Sequence, residues 1–178
     1  MMEDMTWNLI LGQVFSLIGL GLCLAGFSSK RDDRLLVLLI SANVAFAIHF
    51  VLFESWTAAA LTVLVVVRIF LARKYPGNLK VMFGLLVLSV IAAALTWRTM
   101  VDVFPLLAMT LATLGMFLCR GIPLRIMLGL AAFAWMMNNI LIGSIGGTIT
   151  EGLILVTNVI TIFRIARAQR RGLLPSGS

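Results

Sequence analysis

The sequence predicts an all-α integral membrane protein with seven transmembrane helices, arranged as two parallel three-helix repeats joined by a linker helix. Three observations lead to this fold. The chain of 178 residues is 61% hydrophobic and only 12% charged, with a mean hydropathy of +1.09, whereas soluble domains carry about a quarter charged residues. Long apolar runs recur along the whole chain, and the chain aligns with itself after a shift of 89 residues.

Seven apolar runs of 17 to 19 residues divide the chain, at residues 10–27, 35–53, 56–72, 81–97, 103–119, 126–142 and 145–163. A helix of this length crosses the roughly 30 Å hydrocarbon core of a bilayer. Helices are expected because backbone groups inside lipid must be satisfied within their own segment. The first run follows an acidic stretch rather than the basic one of a cleavable signal peptide, so it is expected to remain as a helix.

The charged residues between the runs predict the orientation. Twelve of the 14 Lys and Arg residues fall on one side when loops are counted alternately, the opposite side carries Arg98 alone, and Arg68 lies within an apolar run. Short loops rich in Lys and Arg stay cytoplasmic, so the amino terminus is expected outside and the carboxyl terminus inside. This distribution in short loops argues against a nucleic-acid partner. The twelve are Lys30, Arg31, Arg34, Arg73, Lys74, Lys80, Arg120, Arg125, Arg164, Arg167, Arg170 and Arg171.

The internal repeat places residues 14–67 on residues 103–156 without a gap, with about a quarter of the positions identical. Each copy holds three helices, so two copies joined directly would run in opposite directions through the membrane. The fourth run restores the direction. This predicts a first repeat at residues 9–73, a linker helix at 74–99, a second repeat at 100–168 and a basic tail at 169–178.

The stretch from Gly143 to Thr148, with Glu151, Asn158 and the pair Phe163-Arg164, resembles the YgjV-type bacterial inner-membrane proteins. That family is similar to the SWEET, PQ-loop and nicotinamide-riboside transporters. The resemblance implies a transporter-like fold in a bacterial inner membrane, with an amide that contacts substrate near the middle of the last helix, where Asn158 lies. Parallel repeats of the SWEET kind hold their substrate near the bilayer midplane, at the repeat interface.

The chain departs from the PQ-loop pattern, which places a Pro-Gln pair in the first helix of each repeat. Here Pro105 is followed by Leu106, and the equivalent Ser16 is followed by Leu17. A shared proline hinge is therefore expected in one half at most.

Polar side chains inside apolar spans are costly and often functional. His49 corresponds to Asn138 under the 89-residue shift, so the two are expected to face each other across the repeat axis. An imidazole titrates near neutrality and can couple to protons; the alternative is an imidazole wetted at the headgroup level. Asn138 and Asn139 point about 100° apart. One is expected to face the central cavity, and the other to bond a neighbouring helix. Trp135 lies three residues before Asn138 on the same face and is expected to form a ring-binding surface with it, core packing being the alternative.

Glu151 and Asn158 lie seven residues apart, on one face of the seventh run, and Thr157 adjoins Asn158. Glu151 is a candidate proton or cation site, or else a structural partner of Arg68 or His49. Arg68 is expected to extend toward the cytoplasmic headgroups. The glycine-rich segment 143–147 is expected to form a turn and a close helix contact.

These features predict a small-molecule transporter or facilitator with a central site formed by helices 2, 3, 6 and 7. A non-transporting scaffold for a lipid or protein partner is the alternative. The expected partners are the bilayer, anionic lipid headgroups at the basic loops, a small-molecule substrate and a possible second copy of the chain. No cofactor, metal or enzyme activity is expected, because the sequence has no metal-ligand spacing, phosphate loop or nucleophile–base pair. The predicted site residues are His49, Trp135, Asn138, Asn139, Glu151, Thr157 and Asn158.

Overall fold

A computed structural model describes the backbone of residues 2–28 and 32–171, and the side chains of residues 7–26 and 37–171. Within these ranges the chain forms seven α-helices and one short 3-10 turn, Met100–Asp102. The predicted loop residues Lys30 and Arg31 and the tail beyond residue 171 lie outside the described residues. The helices are α1 (Met2–Ser28), α2 (Asp32–Leu52), α3 (Trp56–Lys74), α4 (Leu79–Thr96), α5 (Val103–Leu118), α6 (Gly121–Leu141) and α7 (Ile145–Arg170).

Six of these helices are long and apolar enough to cross a membrane. They confirm an integral membrane protein. The remaining helix, α2, has 21 residues, but the apolar part among its described side chains is the shorter Val37–Leu52. Large apolar side chains such as Val63, Phe83, Phe133 and Phe163 are exposed on the bundle surface, as expected where lipid tails replace water.

Local sequence explains the ends of the helices. Asn78 begins α4 because its side-chain carbonyl accepts hydrogen bonds from the backbone amides of Lys80 and Val81. Ser144 begins α7 in the same way, with its hydroxyl accepting from the Gly147 amide at 3.1 Å. Gly143 precedes it at φ +77°, a backbone conformation that glycine adopts without strain. The segment 143–147 is thus a turn followed by a helix start.

Six helices close into a ring. The packed pairs are α1–α2, α2–α3, α3–α5, α5–α6, α6–α7 and α7–α1. The fourth helix packs against α3 and α5. Part of the interior is filled by a core from α2, α3, α5 and α6 that includes Phe50, Leu61, Met109 and Trp135.

The two ends of the bundle differ in charge and in contacts. The basic end carries Arg73, Lys74, Lys80, Arg120 and the arginines of the last turns of α7. At the opposite end, here called the clamp end, Gln13 joins α1 to α7. Its Nε2 donates to the Gly143 carbonyl at 2.6 Å, and its Oε1 accepts from the Ile145 amide at 3.0 Å.

Candidate functional site

A cavity of about 320 Å³ lies inside the ring and is lined by all six ring helices, but by no residue of α4. Its volume falls in the range of small-molecule sites, about 300–1,000 Å³. The lining residues are Cys23, Leu39, Asn43, Phe46, Phe50, Thr62, Val65, Arg68, Ala112, Arg125, Leu128, Ala131, Ala132, Trp135, Asn139, Thr150, Glu151, Ile154, Thr157 and Asn158.

Two aromatic rings form one wall of the cavity. Trp135 of α6 stacks on Phe50 of α2, with ring centroids 5.6 Å apart and the planes inclined by 23°. Such an offset pair presents a flat apolar surface to whatever occupies the cavity. Trp135 therefore lies where the sequence placed it, and Phe50 is a lining residue that the sequence reasoning missed.

Two asparagines that line the cavity each have an amide oxygen without a hydrogen-bond partner. The Asn139 Nδ2 donates to the Trp135 carbonyl at 2.9 Å, and the Asn158 Nδ2 donates to the Ile154 carbonyl at 3.0 Å. Each amide group thus uses a donor within its own helix, while the Oδ1 atom of each is buried without a hydrogen-bond partner. An unpaired buried carbonyl is costly, so these two oxygens are polar atoms whose hydrogen-bonding capacity the described residues leave unused.

The hydroxyl of the third polar residue predicted on this wall, Thr157, is bonded within its helix to the Ile154 carbonyl at 2.9 Å. Its neighbour Glu151, one helical turn and a half earlier, is partly buried and also lines the cavity. Glu151 and Asn158 therefore share one face of α7, as their spacing of seven residues predicts, and the adjoining Thr157 also lines the cavity.

Arg68 differs from its expected position. Instead of extending to the headgroups, its side chain is 7% exposed and lines the cavity. Its Nη1 lies 3.3 Å from the Met109 sulfur, and its Nε has no partner. Among the described residues neither Arg68 nor Glu151 has an ion-pair partner, so the predicted structural pairing of the two is absent.

His49 and Asn138 lie outside the cavity lining. The His49 ring is fully buried, with its Nδ1 2.9 Å from the Gly12 carbonyl of α1. Since a carbonyl only accepts, this bond requires the proton on Nδ1. The ring packs against Phe50 and Phe53 at centroid distances of 4.9 and 4.4 Å. Asn138 is likewise fully buried, and neither polar atom of its side chain has a partner among the described residues.

The lining follows the 89-residue shift. All eight lining residues from α1, α2 and α3 have their shifted counterparts in the lining of α5, α6 and α7. In α2 and α6 the pairs are Leu39 with Leu128, Asn43 with Ala132, Phe46 with Trp135, and Phe50 with Asn139. The others are Cys23 with Ala112, Thr62 with Glu151, Val65 with Ile154, and Arg68 with Thr157.

At the clamp end, α2 and α7 pack closely against α1. A Cβ added to Gly146 would lie 2.6 Å from the Ser16 carbonyl carbon and 2.8 Å from the Leu17 nitrogen, so α7 meets the α1 backbone directly. The His49–Gly12 bond ties α2 to the same part of α1. The cavity begins beneath these contacts, at Phe50, Asn139 and Thr150, and reaches toward the basic end at Leu39 and Arg125.

Comparison with known proteins identifies the family. A family model described as a bacterial inner membrane protein, Imp-YgjV, matches residues 10–169. The chain belongs to the Imp-YgjV family. It is similar to the inner membrane protein YgjV of Escherichia coli (strain K12), with 29% identity over 147 residues that cover 82% of this chain and 80% of the relative. No solved structure matches the chain.

Membership of the Imp-YgjV family confirms the resemblance seen in the segment 143–164 and supports a multi-pass inner-membrane location. The family description names no ligand, so the chemistry of the site rests on the cavity itself. Among the described residues there is no group of three or more His, Cys, Asp or Glu side chains suited to hold a metal ion.

Proposed function

We propose that this Imp-YgjV protein is a small-molecule transporter or facilitator whose substrate binds in the central cavity. The observation that carries the proposal is a ligand-sized cavity lined by all six ring helices. Its wall combines a stacked aromatic pair with unpaired amide oxygens and charged side chains. Ionisable groups at membrane depth commonly mark substrate and ion pathways.

The proposed architecture is two parallel three-helix repeats with α4 as the linker, similar to that of the SWEET and PQ-loop transporters. Two observations support it. The eight lining pairs obey the 89-residue shift, and the contact of α1 with α7 is matched by the contact of α3 with α5. A two-fold axis along the membrane normal would relate each of these contacts to the other.

The proposed orientation places the basic end in the cytoplasm and the clamp end outside, because Lys and Arg collect in cytoplasmic loops. Arg167, Arg170 and Arg171 would then meet the anionic lipid headgroups of the inner leaflet. With the clamp end closed on the outside, the cavity would face the cytoplasm in this state. Solute release to the other side would require α1 and α7 to separate.

Uptake into proteoliposomes tests the proposal. The purified chain is screened with labelled solutes that include sugars, nucleosides, amines and organic acids, and each active solute is retested with Asn158→Ala and Trp135→Ala. We expect at least one solute to move, with uptake reduced about tenfold or more in both variants, since each loses a direct ligand contact. Val159→Ala, next to Asn158 but exposed to lipid, should transport normally.

The scaffold alternative makes the opposite prediction. If no solute moves, and the two cavity variants behave like Val159→Ala in cells, the cavity is not a transport site. The family would then be better described as an assembly partner within the membrane.

A further inference from the structure

The proposed function does not specify the class of substrate. The charges in the cavity indicate one. We propose that the central cavity binds an organic anion, with its carboxylate or phosphate held by Arg68 and Arg125 and its apolar part lying against the aromatic wall or in the adjoining crevice between α1 and α7. This inference rests on the proposed ligand site, but not on transport itself.

The side chain of Arg68 is the first feature that supports an anionic ligand. Its guanidinium is buried among helices, 7% exposed, and the described residues supply only a thioether sulfur at 3.3 Å, with Nε unpaired. A guanidinium stays charged in proteins and offers five donors. A buried charge without a partner is strongly unfavourable, so an anion in the cavity would satisfy donors that the protein leaves open.

The second argument is the charge of the whole lining. Arg125 of α6 also lines the cavity, whereas Glu151 is the one carboxylate among the lining residues. Two guanidinium groups against one carboxylate leave the cavity positive even when Glu151 is ionised. Arg side chains bind carboxylate and phosphate oxygens with two parallel hydrogen bonds. Sugars and other neutral polar solutes carry no negative charge for such a pair of arginines to neutralise.

The third argument is a crevice that continues from the cavity. A space of about 340 Å³ between α1 and α7 shares Arg125, Thr150 and Thr157 with the central cavity and is otherwise mainly apolar, with Leu20 and Leu153 on its walls. Arg125 therefore lies at the junction of a charged space and an apolar one. That arrangement suits a ligand with an anionic head and an apolar body.

Such an anion has two possible sources, which share the same head chemistry. A long-chain carboxylate would come from the bilayer through the crevice between α1 and α7. A short aromatic carboxylate would come from water and stack on the Phe50–Trp135 wall.

Binding to the full chain in phosphatidylcholine nanodiscs tests the proposal, with empty nanodiscs subtracted. The probes are dodecanoate and 3-phenylpropanoate, each compared with the alcohol of the same skeleton. We expect one of the acids to bind at least about tenfold more tightly than its alcohol, and the acid that does so identifies the source. Equal binding of acid and alcohol in both pairs would overturn the inference.

Charge variants separate an electrostatic role from a structural one. Arg125→Gln should weaken binding of the acid about tenfold, whereas Glu151→Gln should strengthen it, because it removes the one negative group nearby. Arg164→Gln removes the same charge from an exposed position on α7 and should have no effect. Arg68→Gln should also weaken binding of the acid, and if this variant does not fold, Arg125→Gln and Glu151→Gln still test the proposal. Weaker binding in both Arg125→Gln and Glu151→Gln would contradict the proposal.

The outcome is distinguishable from that of the proposed function. Tight binding of an acid without any uptake would contradict the transporter and leave the anion site intact. Uptake of a neutral solute, with no preference for acids, would do the reverse.

Discussion

His49 and Phe50 are neighbours in α2, yet they serve different parts of the molecule. Phe50 lines the cavity, whereas His49 faces α1 and bonds the Gly12 carbonyl. The cause is the rotation of about 100° between consecutive residues of a helix. His49 is thus a link between α1 and α2 that contributes to packing, and its ring is not in contact with the proposed substrate.

Replacing this ring tests that assignment. His49→Leu removes the bond to Gly12 and should lower the free energy of unfolding by about 1–3 kcal/mol, measured as a lower melting temperature in detergent. Ligand affinity should stay unchanged, while Asn158→Ala should show the opposite pattern. A loss of affinity in His49→Leu with normal stability would place the imidazole in the site after all.

The same rotation explains which of the two adjacent asparagines lines the cavity. Asn139 lies four residues after Trp135, on the same face of α6, and both line the cavity, whereas Asn138 does not. The spacing of Trp135 and Asn138 placed Asn138 on the face toward the cavity, and this choice between the two amides was wrong. That choice depends on how α6 is rotated against α5 and α7, and hence on packing between distant segments.

Gly146 tests the closeness of the clamp. In Gly146→Ala the new Cβ would meet the backbone of Ser16 and Leu17 within 2.8 Å, and backbone gives way less easily than a side-chain end. We expect a loss of stability of about 1–3 kcal/mol. Gly152→Ala is the matched control on α7, because no atom lies within 4 Å of its added Cβ. Equal melting temperatures for the two variants would show that α1 and α7 are further apart than described.

Among the helices of the clamp end, α1 and α7 are held together by a side chain that makes two hydrogen bonds. No other side chain among the described residues at this end links two helices in this way. Gln13 donates to the Gly143 carbonyl in the turn before α7 and accepts from the Ile145 amide at the start of α7. Opening the clamp end must break both bonds. If the protein transports as proposed, α1 and α7 are therefore the helices that must separate.

Gln13→Ala should ease this opening. Loss of two hydrogen bonds of about 1 kcal/mol each shifts the equilibrium about tenfold or more toward the open form. The measurement is labelling of Thr150→Cys from the clamp side by a membrane-impermeant thiol reagent, after Cys23 and Cys119 are replaced by Ser. Faster labelling is expected with Gln13→Ala, and an unchanged rate with Val14→Ala, an exposed neighbour. An unchanged rate in both would rule out Gln13 as a clamp.

Helix number and type could be predicted from the sequence, because the apolar runs are long and separated by Gly, Pro, Asn or charged residues. All seven predicted runs coincide with helices. The ends were less predictable. The seventh helix continues past the apolar run to Arg170, since a helix can extend beyond the hydrocarbon where water satisfies its polar face.

For the molecule as a whole, the internal repeat predicts more of the cavity lining than the individual polar residues do. The shift of 89 residues pairs all eight lining residues of α1, α2 and α3 with lining residues of the second half. Arg68 is predicted to extend toward the headgroups, but it lines the cavity instead. Its position corresponds to Thr157 under the 89-residue shift. The burial of Arg68 could not be predicted from the sequence. An arginine less than two turns before a basic helix end can reach either the headgroups or the interior of the bundle.

The proposed orientation of the whole molecule rests on its charged loops and is directly testable. Lys74→Cys at the basic end should react with an impermeant thiol reagent only in inside-out vesicles, and Thr99→Cys at the clamp end only in intact cells with a permeabilised outer membrane. Both are measured without native cysteines. The reverse pattern would place the amino terminus in the cytoplasm and invert the proposed access of the cavity.

If the cavity inside the helix ring is a solute path, its wall must be accessible to hydrophilic reagents from water. Asn158→Cys, in a background without Cys23 and Cys119, is exposed to a small hydrophilic thiol reagent from each face of the membrane in turn. We expect rapid reaction from the basic end and slower reaction from the clamp end, while the neighbouring Val159→Cys stays unreactive in lipid. No reaction of Asn158→Cys from either face would show a sealed interior and rule out a solute path.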